Sequence, residues 1–170
     1  MSNKKIEYII VHCSDSSWGS AREIRKWHTD APPKGNGWRD LGYHFVINNG
    51  KPYSDSYFKF MDGQIEYGRD LDDDPYIEDK EVGAHSLGYN AKSIGICLIG
   101  RGKDDFTKEQ YDSFFDVIIA IMDRYDIPIE NVLGHYETQL ANGKTCPNMD
   151  MTSIREIIKH EIDIRRRKNV

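Results

Sequence analysis

Residues 6–13, Ile-Glu-Tyr-Ile-Ile-Val-His-Cys, are short, nearly continuous in apolar side chains and rich in β-branching, the pattern of a buried strand. Ser20-Ala-Arg-Glu23 has the spacing of a capping box, in which residues three apart satisfy each other's free backbone N–H groups, so a helix is predicted from there to about His28. Pro32-Pro33 and Gly35-Asn-Gly37 then break the chain. Gly42 to Asn48 reads as a second strand, closed by the turn signal Asn48-Asn-Gly50. After an irregular aromatic segment from Tyr53 to Met61, Gly63 to Tyr67 is expected to return as its hairpin neighbour. The acidic stretch Asp70 to Glu81 has little apolar content and reads as a surface loop. Ser93 to Gly100 is the most apolar strand candidate and is expected at the centre of the sheet.

Two further capping boxes follow. Thr107-Lys-Glu-Gln110 opens a long amphipathic helix with Tyr111, Phe114, Phe115, Ile118, Ile119, Met122 and Tyr125 on one face. Asn131 to His135 reads as a short strand or extended turn, and Ser153-Ile-Arg-Glu156 leads a last helix, about 153–167, with Ile154, Ile157, Ile158 and Ile162 inward. Strands alternating with helices, plus one hairpin, predict an α/β fold: a single domain over 1–170, core about 6–150, with a mixed central β-sheet flanked by helices.

A chain of 170 residues can bury a core without disulfides or a structural metal. Its net charge of −5 argues against nucleic acid as a partner, since duplex binding normally shows as a basic face. The one basic cluster, Arg165 to Lys168, suits the C-terminal end of a helix dipole. No stretch approaches the roughly 18 apolar residues of a membrane span, and the polar start lacks the apolar region of an export signal. The expectation is a monomer made and folded in a cytosol, with no membrane partner. The three cysteines, Cys13, Cys97 and Cys146, form an odd set that argues against a disulfide framework. Cys13 and Cys97 sit in apolar runs, whereas Cys146 stands in the polar loop Ala141 to Asn148, with Lys144 close enough to favour a thiolate.

His12 ends the first apolar run, His135 follows Asn-Val-Leu-Gly, and Cys146 comes shortly after. Two imidazoles and a thiolate are donors that Zn²⁺ favours, and three protein ligands leave a tetrahedral position for water. Strand parity sends His12 and Cys13 to opposite faces, with cysteine the natural core partner and His12 the polar one. It likewise places His135 and Glu137 on one side of the chain, and Tyr43 and Phe45 on a face opposite His44. His44 reads as a packed core imidazole, and His28 and His160 as ordinary helix residues. No short HxxxH or CxxC signature backs the site, so spacing alone leaves the assignment open.

Several motifs in order narrow it. Val11-His-Cys-Ser14, Arg22 to His28, Gly42-Tyr-His-Phe45, Gly83-Ala-His85 to Asn90, Ser93 to Gly100, Gly134-His-Tyr-Glu137 and Lys144-Thr-Cys-Pro147 together resemble the zinc-dependent N-acetylmuramoyl-L-alanine amidases, a superfamily shared with peptidoglycan recognition proteins. The likeness runs from Tyr8 to about Asp150 and is strongest to the small amidase-type lysozymes, or endolysins, of tailed bacteriophages. It implies metal ligands at His12, His135 and Cys146, a catalytic tyrosine at Tyr43, a transition-state lysine at Lys144 and a substrate-groove histidine at His85. Glu137 is then a candidate partner for the second N–H of a metal-bound histidine. The implied reaction is hydrolysis of the amide between N-acetylmuramic acid and L-alanine in peptidoglycan, reached after the host membrane is permeabilised. A muropeptide-recycling amidase, a non-catalytic peptidoglycan-binding module and a cysteine hydrolase using Cys146 and His135 are the rivals. Three segments depart from the family pattern by being longer: Tyr53 to Asp62, Asp70 to Glu81, and the loop between His135 and Lys144.

Overall fold

A computed structural model describes residues 4–72 and 74–168. Its main sheet contains β2 (Tyr8–Cys13), β3 (Phe45–Asn49), β4 (Asp62–Tyr67), β6 (Ser93–Leu98) and β7 (Val132–Gly134), in the order β4-β3-β6-β2-β7. A separate two-stranded ribbon pairs β1 (Lys4–Lys5) with β5 (Tyr76–Ile77). β3, β6, β2 and β7 run parallel, and only the edge strand β4 is antiparallel, paired with β3. The sheet is therefore mixed and β6 is its centre, as expected of its most apolar strand. The Asn48–Gly50 turn does not close the hairpin directly, because residues 50–61 intervene and the register shifts between Ile47 and Asn49.

The two faces of the sheet bury different sets. On one, Ile9, Val11, Ile47, Ile94, Ile96 and Leu98 pack against α2 (Lys108–Tyr125) and α3 (Met151–Lys168), chiefly through Phe114, Ile118, Met122, Ile154 and Ile158. On the other, Val46, Cys97 and Ile99 meet Ala21 and Ile24 of α1 (Ala21–Thr29). Each fully buried isoleucine or leucine contributes roughly 1.5–3 kcal/mol by leaving water, so the strands with the most such residues lie innermost.

The helix starts follow their caps. Ser20 Oγ accepts the Glu23 N–H at 3.2 Å, although the Glu23 carboxylate turns to Lys26 instead of closing the box. Thr107 and Gln110 do close theirs, and the Gln110 amide also donates to the carbonyls of Ile47 and Ile99, both at 2.9 Å, clamping the ends of β3 and β6. The last helix begins at Met151, before the expected Ser153, because Asp150 supplies the cap to the N–H groups of Thr152 and Ser153. Ile157 faces solvent at 43% exposure, contrary to the inward reading. The acidic stretch 70–81 is not wholly a surface loop: it contributes β5, and its last residue Glu81 is buried, accepting the N–H groups of Asp72 and Glu78. No helix among the described residues is long and apolar enough to cross a membrane.

Candidate metal centre

Parallel strands aim their C-terminal ends the same way, and the site gathers there. His12, next to last on β2, alternates with the core residues Val11 and Cys13 and so presents its ring to the α1 side. β7 pairs with β2 and delivers His135 at its end, inside a 3₁₀ turn spanning His135–Glu137. Cys146 returns to the same place because its carbonyl accepts the Tyr136 N–H at 2.9 Å, while its Sγ accepts the Cys13 N–H at 3.3 Å. Donor atoms of His12, His135 and Cys146 all lie within 4.8 Å of one another. His12 Nδ1 is 3.7 Å from the Cys146 sulfur, and the His12 and His135 ring centres are 4.5 Å apart.

Three segments distant in sequence thus place two imidazoles and a thiol around one point, with His12 only 1% exposed and His135 9%. Burial, then the neighbouring His85 and His135, hold His12 well below the usual imidazole range; burial and the Lys144 ammonium take His135 down to about 4. Both rings are neutral at pH 7 with lone pairs free to ligate. The Cys146 thiol is pushed up, first by the adjoining Cys13 thiol and then by burial, and Lys144 does not lower it as the sequence suggested. A thiol that resists ionising among neutral groups becomes a ligand when a dication supplies the missing charge. The donor set therefore fits Zn²⁺.

Tyr43 lies 5.0 Å, ring centre to ring centre, from His12. It is not on a neighbouring strand, since β6 separates β3 from β2. The two rings meet across β6, whose Cys97 pairs in register with His12 and packs in the same cluster as Tyr43, and Tyr43 itself precedes β3 proper. That early position also breaks the expected parity: Phe45 packs on the α2 face while Tyr43 packs with the α1 cluster. Burial, then the thiols of Cys97, Cys146 and Cys13, raise the Tyr43 phenol well above its ordinary range, so it is a neutral donor. Lys144 is exposed, and its charge contributes to the lowering of both His12 and His135.

His85 is 8% exposed and packs against His12. Its Nδ1 is 3.1 Å from His12 Nε2. Glu137 does not reach the His135 ring as the strand reading implied, because a 3₁₀ turn replaces the strand. Its carboxylate accepts the Gly134 N–H at 2.8 Å and two Arg155 N–H groups, both at 2.9 Å, and so locks the turn that carries His135. His44 is a packed core imidazole: Nδ1 accepts the Gly95 N–H and Nε2 donates to the Glu81 carbonyl, both at 2.9 Å.

His28 escaped the sequence reading. Its Nδ1 accepts the Gly42 N–H at 3.0 Å and its ring centre sits 5.5 Å from Tyr43, so it braces the backbone that presents the tyrosine. The available signal was spacing, since His28 falls seven residues after Ala21 and four after Ile24, on the inward face of α1. His160 is exposed, as expected of an ordinary helix residue.

Residues 2–149 match the N-acetylmuramoyl-L-alanine amidase family. The chain belongs to that family, and it is an enzyme of the peptidoglycan-hydrolysing amidase class. Among individual relatives it is 35% identical to the endolysin of Escherichia phage T7 over 152 residues, covering 84% of this chain and 81% of that one. The endolysin of Enterobacteria phage T3 is 34% identical over 154 residues, covering 85% and 82%. Among solved structures, the amidase LysC from Clostridium intestinale has the same fold, with a TM-score of 0.67 at 22% identity over 96% of this chain and 91% of that one. The Drosophila recognition protein PGRP-LB aligns with a TM-score of 0.61 at 25% identity, covering 86% and 79%.

Proposed function

We propose that the protein is a phage endolysin, acting as a monomer, that cleaves the amide between the lactyl group of N-acetylmuramic acid and L-alanine, with His12, His135 and Cys146 holding Zn²⁺. The observation that carries the reading is the meeting of these three donors, from β2, the turn after β7 and the following loop, within 4.8 Å. Zinc in such a site polarises an amide carbonyl and lowers the pKa of water to roughly 7. The rest of the chemistry belongs to side chains. The neutral Tyr43 hydroxyl would orient the attacking water and relay a proton, taking the water's as it gives its own to the leaving amine nitrogen. Lys144, whose charge is felt by both histidines, would stabilise the oxygen that gains negative charge as the carbonyl becomes tetrahedral; a preorganised donor there contributes about 3 kcal/mol.

Glu137 acts at one remove, through the backbone of the His135 turn and the Arg155 pair. Leu87 and Leu140 are exposed, at 73% and 50%, on two loops joined by the Ser86–Thr138 hydroxyl pair, and offer an apolar rim for the substrate. A cysteine nucleophile is disfavoured because Cys146 is a raised, half-buried thiol facing His12 and Cys13.

The test is digestion of purified cell wall, with mass spectrometry of the products and zinc analysis of the protein. Release of peptides beginning with free L-alanine, abolished by phenanthroline and restored by added zinc, is the expected result. Activity that persists without metal, or wall binding without cleavage, would refute the proposal.

A further inference from the structure

A histidine ring binds a metal through one nitrogen and must place its proton on the other, and the wrong tautomer presents an N–H where a lone pair is needed. His12 Nδ1 is the nitrogen that faces Cys146, and His12 Nε2 points at His85 Nδ1, 3.1 Å away. Between two imidazole nitrogens only one proton can be shared, so the far side of His85 decides which ring donates.

That far side is occupied by Ser93. Its hydroxyl donates to the Tyr89 carbonyl at 2.9 Å, which commits its only proton, and its oxygen stands 3.5 Å from His85 Nε2. Nothing in this surrounding can donate to Nε2, so the His85 proton sits there and Nδ1 is left as an acceptor. His12 must then carry its own proton on Nε2, leaving Nδ1 bare toward the cysteine. The ring has no freedom to choose otherwise: a Cβ on Gly95 would lie 2.7 Å from it and one on Gly83 2.6 Å, so His85 fills a slot bounded by two glycines. Its own backbone N–H is held by Asn90 Oδ1 at 2.9 Å.

We infer that His85 and Ser93 form a buried relay that fixes the tautomer and orientation of His12 and thereby sets the affinity of the site for its cation. In this role His85 is a positioning residue for the metal. The inference rests on the zinc reading of His12, His135 and Cys146 and adds to it two residues that are not themselves ligands.

The experiment compares zinc dissociation constants, by competition with a chromophoric chelator, for wild type, His85→Leu and His85→Asn. Asparagine places its Oδ1 near where Nδ1 stood and keeps the acceptor, whereas leucine fills the slot without one. The expected result is a 10- to 100-fold weaker constant for leucine and a change of only a few-fold for asparagine. Urea midpoints of the metal-free proteins establish that both variants fold. Long-range ¹H–¹⁵N spectra of the metal-free wild type give a readout without zinc: the proton should be on Nε2 of both His12 and His85. Wild-type zinc affinity in His85→Leu with activity lost would assign the ring to the substrate and overturn the relay. Equal weakening in both variants, or a proton on His85 Nδ1, would overturn it as well. Failure of the wild type itself to bind zinc would instead remove the metal reading, and the relay with it.

Discussion

The His44 ring closes a gap in the sheet, taking the Gly95 N–H on one nitrogen and giving its other N–H to Glu81, with none of its surface exposed. Burial first, and the nearby Arg69 guanidinium after it, lower its pKa from 6.5 to about 4. Protonation would put a second proton on Nδ1, facing the Gly95 N–H. Because the folded value lies below the unfolded one, the unfolded chain takes the proton first as pH falls. The stability is therefore complete above about pH 6.5 and is lost progressively down to about pH 4. A shift of about 2.5 units at 1.36 kcal/mol each makes the loss on the order of 3 kcal/mol, most of it by pH 4.5. Other buried histidines also titrate, so the measurement must isolate this one. In His44→Asn the amide oxygen still accepts from Gly95, but the Glu81 carbonyl is orphaned, a cost of about 1–3 kcal/mol at pH 7. Urea unfolding of both metal-free proteins between pH 7 and 4.5 should show the wild type losing its advantage and then falling below the variant. Parallel stability curves would refute the reasoning, as would an NMR titration in which His44 gains its proton near pH 6.5.

Other substitutions separate chemistry from architecture. Lys144→Ala and Tyr43→Phe should each lower turnover by roughly a hundredfold or more while bound zinc, measured by atomic absorption, stays near one equivalent; loss of metal in either would show that the role is misassigned. Arg155→Ala leaves Glu137 without its bidentate partner at a site where the two side chains are 19% and 22% exposed. A loss of about 2 kcal/mol, below the 3–5 of a fully buried pair, should appear in thermal melts together with weaker zinc binding. Unchanged zinc affinity in that variant would mean the His135 turn does not depend on the ion pair.

Much of this was legible in the residues because it rests on local chemistry. Capping boxes marked the starts of α1 and α2, and the apolar density of Ser93 to Gly100 marked the central strand, since both depend on nearest neighbours or total burial. Parity placed His12 opposite Cys13 because β2 is a regular strand there. It failed for Tyr43 and for Glu137, where the chain was irregular: Tyr43 precedes the regular pairing of β3, and residues 135–137 coil into a tight turn. The roles of His85 and Gln110 depend on His12 and Ile47, far away in sequence, so no window along the chain could contain them. Glu81 was misread as surface because its partners are main-chain N–H groups, which carry no residue signature.

β7 has only three residues, is paired on one side alone, and carries at its end the stretch 135–146 that holds His135, Lys144 and Cys146. An edge strand this brief is a natural place for the fold to breathe, and when it lifts, most of the reactive groups leave as a unit while His12 stays on β2. Cation capture would then act as a latch on the margin of the sheet. Amide exchange at Val132 to Gly134 should slow in proportion to zinc occupancy, while the interior strand β6 keeps its own pace.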